Sequence, residues 1–186
     1  MSAIPARDAR EEILLSASET RALIQQMADR ILPDLARPEN LVVVGIRRGG
    51  AVVAGLLRDR LQAALGRQIP MGFLDITFYR DDLRTIAPNP VVGATDLTMT
   101  IDGRRILLVD DVLFTGRTIR AALNALFDYG RPECVELAVL VDRGGRQLPI
   151  QPDCAGRVIE AGTRETIKLA EREKGEWTVV CRRPEA

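Results

Sequence analysis

The sequence of 186 residues contains no histidine. That absence excludes Ser-His-Asp and Cys-His nucleophilic catalysis, a histidine general base and His-ligated zinc. Chemistry must run on carboxylates, arginines, hydroxyls and backbone amides, with any metal carried in by a substrate. Lysine is almost missing too: Lys168 and Lys174 are the whole set, and the remaining positive charge is arginine. Arginine suits bidentate phosphate contacts, but a GC-rich genome produces the same bias, and that explanation carries more weight. Cysteine is scarce and odd in number. Cys134, Cys154 and Cys181 share no metal-like spacing and read as three free thiols in a reducing cytoplasm. No apolar run approaches the roughly 20 residues of a membrane span. The first residues, MSAIPARDAREE, are charged early and lack an apolar core, so no secretory signal is expected. Net charge is also lacking: 26 basic residues balance 26 acidic ones, and bulk charge therefore demands no nucleic acid.

What remains is 46% hydrophobic and 28% charged, the composition of one globular domain spanning residues 1–186. Ser16-Ala-Ser-Glu19 is a capping box before a helix face of Leu23, Ile24, Met27, Ala28 and Ile31, ended by Pro33. LVVVGI (Leu41 to Ile46) reads as a buried parallel strand. A tight turn at Arg47-Arg-Gly-Gly50 leads into a helix through Val53, Leu57 and Leu61 that stops at Gly66. Met71 to Tyr79 is predicted as a second strand, Ile106 to Val109 as a third and Val135 to Val141 as a fourth. A helix over Ile119 to Leu126 lies between the last two, and short alternating pieces follow near Arg157, Thr166 and Trp177. Strands alternating with helices predict an α/β fold with a mostly parallel sheet. The stretch from Arg80 to Thr98 has no period. A connection of that length in a compact domain is either a disordered insertion or functional; its charged opening, Tyr79-Arg80-Asp81-Asp82, favours a lid over about 79–100 at least as well.

One segment carries most of the chemistry: VDDVLFTGRT, Val109 to Thr118. Asp110 and Asp111 fall at the carboxyl end of a predicted strand, where open α/β sheets bind ligands. Thr115-Gly-Arg-Thr118 falls where the next helix begins, where free N–H groups and the helix dipole favour an anion. Acceptors at one end and phosphate donors at the other match a ribose 5-phosphate. Three other readings compete. A receiver-domain strand would place its acidic pair nearer the N-terminus, without TGRT behind it. A P-loop needs G-x-x-x-x-G-K-[ST], a string absent from the chain. A purely structural helix cap does not need ten residues of this pattern.

ILLVDDVLFTGRT (Ile106, Leu107, Leu108, Val109, Asp110, Asp111, Val112, Leu113, Phe114, Thr115, Gly116, Arg117, Thr118) resembles the phosphoribosyl-pyrophosphate (PRPP) motif of type I phosphoribosyltransferases. LDITFYRDDL (Leu74 to Leu83), AVLVDRGGRQLPI (Ala138 to Ile150) and ALFDYGRP resemble one branch, the PyrR family of pyrimidine-operon regulators and uracil phosphoribosyltransferases. The likeness runs from about Thr20 to Ile150. It implies a type I phosphoribosyltransferase fold with a small hood over about 142–186. It implies uracil and PRPP as substrates, UMP and pyrophosphate as products, and Mg²⁺ bound with PRPP, mainly through the substrate and beside Asp110 and Asp111. Arg47, Arg48 and Gly49 would form the pyrophosphate loop, and Arg80 would reach the pyrophosphate from the lid. Asp142, Arg143 and Ile150 would cover the base. Arg143, Arg146 and Arg157 would be the residues left to meet a pyrimidine-operon mRNA, and a homodimer or higher homo-oligomer is implied.

The chain departs from that family pattern in places. GIRRGG replaces the usual G-I-[RK]-T-R-G, and Arg143-Gly-Gly-Arg146 lacks the usual histidine. LIQQMAD, Gln151 and RVIEAGT replace basic or polar positions associated with RNA, which favours an enzyme with weakened RNA regulation. Two other functions fit the same residues: an RNA-binding regulator that senses nucleotide through a weakly active site, or a phosphoribosyltransferase for another base.

Overall fold

The computed structural model describes residues 10–35, 38–79 and 95–183. Five strands form a wholly parallel sheet: β2 (Leu41–Ile46), β3 (Met71–Leu74), β4 (Arg105–Leu113), β5 (Cys134–Asp142) and β6 (Cys154–Val158), in the order β3-β2-β4-β5-β6. A second, antiparallel sheet orders β1 (Arg10–Leu15), β8 (Glu176–Arg183) and β7 (Thr166–Glu173). Among the described residues three α-helices accompany the sheets: α1 (Ala17–Ile31), α2 (Gly49–Leu65) and α3 (Arg117–Phe127).

Side-chain alternation divides the core between the two faces of the parallel sheet. Val43, Leu107 and Val109 point toward α1 and α2, where they meet Leu23, Met27, Val53 and Leu57. Val42, Val44, Ile106 and Leu108 point the other way and meet Ile119, Ala122 and Leu126 of α3. Burial on both faces is why these strands read as continuous apolar runs rather than alternating ones.

The capping box forms as predicted: Glu19 N–H donates to Ser16 Oγ, and Ser16 N–H donates to Glu19 Oε2 at 2.8 Å. The Ser16 hydroxyl and main chain hold the Glu19 carboxyl below the ordinary carboxylate range. Three expectations need correction. The second predicted strand stops at Leu74, and Thr77–Tyr79 is a 3-10 turn. The third continues through both aspartates to Leu113. β1 had no place in the sequence reading: it joins β7 and β8, while β6 extends the parallel sheet. Residues 80–94, and with them Arg80, lie outside the described residues. On either side of that segment the chain is fixed. Tyr79 donates from its hydroxyl to Asp128 Oδ2 at 2.5 Å, and Asp96 bridges to Phe73. No helix among the described residues is long and apolar enough to cross a membrane.

Candidate active site

A cleft of about 760 Å³ opens at the carboxyl ends of β2, β3 and β4. Its floor is Asp110, Asp111 and Val112; Arg47 and Arg48 stand on one side, Phe114 and Thr118 on another, and Arg143, Thr166 and Ile167 on the hood side. The sheet register explains the position. Pairing of β4 with β2 ends at Gly45 and Val109, while pairing with β5 runs on to Leu113 and Asp142. The two aspartates therefore emerge beside the point where β2 turns away into α2.

That turn is close. A Cβ on Gly50 would fall 2.6 Å from the Val109 carbonyl and 3.0 Å from Asp110 Oδ1, and a Cβ on Gly49 would overlap the Asp111 carboxylate. Only glycines let the first turn of α2 lie on the acidic end of β4. The two carboxylates are held differently. Asp110 is 5% exposed, and its Oδ1 accepts the Asp111 N–H at 2.9 Å. Asp111 is more open, and its Oδ2 accepts a long 3.4 Å bond from Leu169 N–H of β7. Arg47 and Arg48 are exposed, joined by a cis peptide, and Arg47 lies 5.1 Å over the Phe73 ring.

Opposite the carboxylates, α3 begins at Gly116, whose φ of 89° is in the left-handed region. No side chain caps this helix, although the Thr115 hydroxyl accepts the Arg117 N–H at 3.3 Å. The first turn of such a helix favours a negative charge. The Thr115 carbonyl accepts Gln147 N–H and Leu148 N–H at 3.0 and 3.1 Å, tying the loop to the hood.

The hood loop after β5 is built on two arginines. Arg146 donates to Asp142 Oδ2 at 2.6 Å, to the Phe114 and Ile150 carbonyls at 2.9 Å each, and to the Gly144 carbonyl at 3.4 Å. Burial pushes the Asp142 carboxyl up, but the Arg146 guanidinium and the Gly144 N–H outweigh it and hold the group below its ordinary value. Arg143 is 7% exposed. It donates to the carbonyls of Glu165 and Gly162 at 2.9 and 3.1 Å, and its guanidinium lies 3.7 Å over the Phe114 ring.

The structure sorts the sequence-predicted residues. Asp110, Asp111, Val112, Phe114, Thr118, Arg47, Arg48 and Arg143 come together in the cleft, with Thr115, Gly116 and Arg117 forming the turn beside it and Gly49 behind Asp111. Ile106, Leu107, Leu108, Val109 and Leu113 do not touch the cleft. They are at most 2% exposed and belong to the core, because their side chains pack into the apolar clusters on the two faces of the sheet. Asp142 and Ile150 support the cover rather than line it: Asp142 is tied to Arg146, and Ile150 packs against Gly116. Of the three arginines expected to meet RNA, Arg143 and Arg146 bond to hood carbonyls and Asp142, while Arg157 is exposed. Sequence reasoning missed Asp75, Ile76, Thr77, Thr166 and Ile167 as cleft residues. The first three lie within the quoted LDITFYRDDL string, but Thr166 and Ile167 belong to a polar stretch with no motif. Among the described residues no three carboxylate or thiol groups form a metal cage.

A parallel α/β sheet with paired carboxylates facing an uncapped helix start across one cleft is the architecture of a phosphoribosyltransferase. A family model for the phosphoribosyl transferase domain matches residues 11–165, and the chain belongs to that family. Within it the chain belongs to the PyrR family. The Bifunctional protein PyrR of Pelotomaculum thermopropionicum is 44% identical over 168 residues, covering 90% of this chain and 93% of that protein. The Bifunctional protein PyrR of Citrifermentans bemidjiense is 46% identical, covering 85% and 89%. In fold, the chain is similar to the hypoxanthine phosphoribosyltransferase of Trypanosoma cruzi, with a TM-score of 0.67 at 22% identity over 94% of this chain and 97% of that one.

Proposed function

We propose that the protein is a uracil phosphoribosyltransferase, forming UMP and pyrophosphate from uracil and PRPP, with PyrR-type regulatory binding of pyrimidine-operon mRNA as its second activity. The observation that carries this reading is the cleft itself, with the Asp110–Asp111 pair facing the uncapped start of α3. Asp110 and Asp111 accept from the ribose hydroxyls, and the Thr115–Thr118 turn holds the 5-phosphate. Arg47 and Arg48 face the pyrophosphate. As the bond from C1 to the pyrophosphate oxygen breaks, positive charge grows on the ribose and negative charge on the leaving group, and the arginines stabilise the latter. The uracil nitrogen then bonds to C1 and gives up its proton to the departing pyrophosphate or to solvent. Arg143, fixed by two carbonyls and stacked on Phe114, closes the base side of the cleft and keeps out water that would hydrolyse PRPP. Mg²⁺ arriving with PRPP would neutralise charge on the pyrophosphate. Two hard carboxylates without a closed cage suit an ion that keeps waters and substrate oxygens as its other ligands.

For RNA, Arg157 is the exposed member of the three candidates, and the two held by hood bonds favour weakened binding. No disulfide joins the described cysteines, which suits a reducing cytoplasm, and the working unit is a homodimer or higher homo-oligomer. The deciding assay is UMP formation from uracil, PRPP and Mg²⁺, with orotate, hypoxanthine and adenine in parallel. Turnover with uracil alone is expected. PRPP or UMP binding without turnover on any base would favour a nucleotide sensor.

A further inference from the structure

The Asp111 carboxylate lies where a side chain of residue 49 would lie, against the first residue of α2. Helix α2 has no acidic residue in its first turn, and its N-cap, Arg48, makes no side-chain capping bond. The start of this helix thus has an anion beside it, supplied from another strand. The same helix start, flanked by Arg47 and Arg48, is where the pyrophosphate of PRPP is proposed to sit. Two anions have a claim on one place.

The two carboxylates of the motif are unequal in a way that suits this competition. Asp110 is buried, with Oδ1 bonded to the Asp111 N–H. Asp111 is less buried, and its carboxylate takes a long bond from Leu169 N–H. Asp110 is the fixed member of the pair and Asp111 the one able to turn.

We propose that Asp111 is a stand-in for the pyrophosphate: in the substrate-free protein it is parked at the start of α2, in room that only glycine at position 49 leaves. Arrival of the pyrophosphate group displaces it and frees it to turn onto the ribose. The inference rests on the phosphoribosyltransferase reading, and it makes Gly49 a positioning residue. Occupation of the pyrophosphate subsite completes the ribose clamp, so the site assembles fully only around intact PRPP.

The test uses inorganic pyrophosphate as the probe, without Mg²⁺, titrated calorimetrically into the full chain at fixed salt. Removal of any negative charge from the cleft weakens repulsion, so Asp75→Asn serves as the charge control. Asp111→Asn is expected to tighten pyrophosphate about fivefold while lowering UMP formation, and Asp75→Asn to tighten it less than twofold. Equal effects of the two variants, or no tightening in Asp111→Asn, would overturn the proposal. Asp111→Ala vacates the place outright and repeats the test should the asparagine variant fail to fold. The wild type's UMP formation, measured on the same preparation, separates the two readings. An active wild type with no tightening in the variants sinks the stand-in alone. An inactive wild type whose Asp111→Asn variant still tightens sinks the enzyme reading and leaves the displaced carboxylate standing.

Discussion

Replacing Arg146 by methionine separates a strut from an RNA contact. Methionine keeps the apolar stem and removes the guanidinium. The side chains of Arg146 and Asp142 are 15% and 14% exposed, so the pair is largely withdrawn from water. The change strands the Asp142 charge and unpairs the carbonyls of Phe114 and Ile150. Breaking a buried pair costs roughly 3–5 kcal/mol, and the residual exposure places this one at the lower end, about 3 kcal/mol. For a chain of this size that lowers Tm by roughly 6–12 °C. The pH dependence has a definite sign. The folded carboxyl of Asp142 titrates below its unfolded value of about 3.9, so its contribution is present above that pH and is lost as pH falls through the lower, folded value. The stability gap between wild type and Arg146→Met should therefore be full at pH 7 and shrink below about pH 4. Denaturant unfolding at both pH values measures it, with Asp142→Asn closing a double-mutant cycle. A variant within about 0.5 kcal/mol of wild type that makes UMP normally but no longer binds the mRNA would refute the reasoning.

Asp110→Asn combined with Asp111→Asn should lower UMP formation by roughly 100-fold or more while the chain still melts cooperatively; full activity would remove the ribose role from both residues. Gly50→Ala should destabilise by about 3 kcal/mol, because the new methyl meets the Val109 carbonyl, a backbone atom that cannot swing aside. Chemical denaturation measures that cost. Gly116→Ala should lose about 1 kcal/mol for its positive φ, and the displaced turn should raise KM for PRPP more than it lowers kcat, as steady-state kinetics would report.

Local signals were legible wherever the cause was local. The capping box at Ser16 and Glu19, the apolar run of β2 and the stop at Gly66 each depend on a few adjacent residues, and each appears where the sequence places it. The ligand end of the sheet was legible because a carboxylate pair and a threonine-glycine turn flank one strand-to-helix junction. The strand's length was not. Asp110 and Asp111 look like an end by composition, yet the register with β5 carries β4 past them. β1 was missed because REEILL has little strand pattern of its own and is ordered by β8, which pairs with it from the far end of the chain. Thr166 and Ile167 were missed as cleft residues for a related reason. They reach the cleft through the hood sheet, and no local spacing reports that.

The pairing of Arg10 with Arg183 has a consequence for how the protein is made. The parallel sheet is complete in sequence by β6, but one face of it packs against Leu15, Ile167 and Val179 of the antiparallel sheet. β8 arrives last, and until it does neither β1 nor β7 has an edge to join. The strand that holds β7, and with it the Leu169 N–H that reaches Asp111, is thus one that also fastens the other end of the described chain.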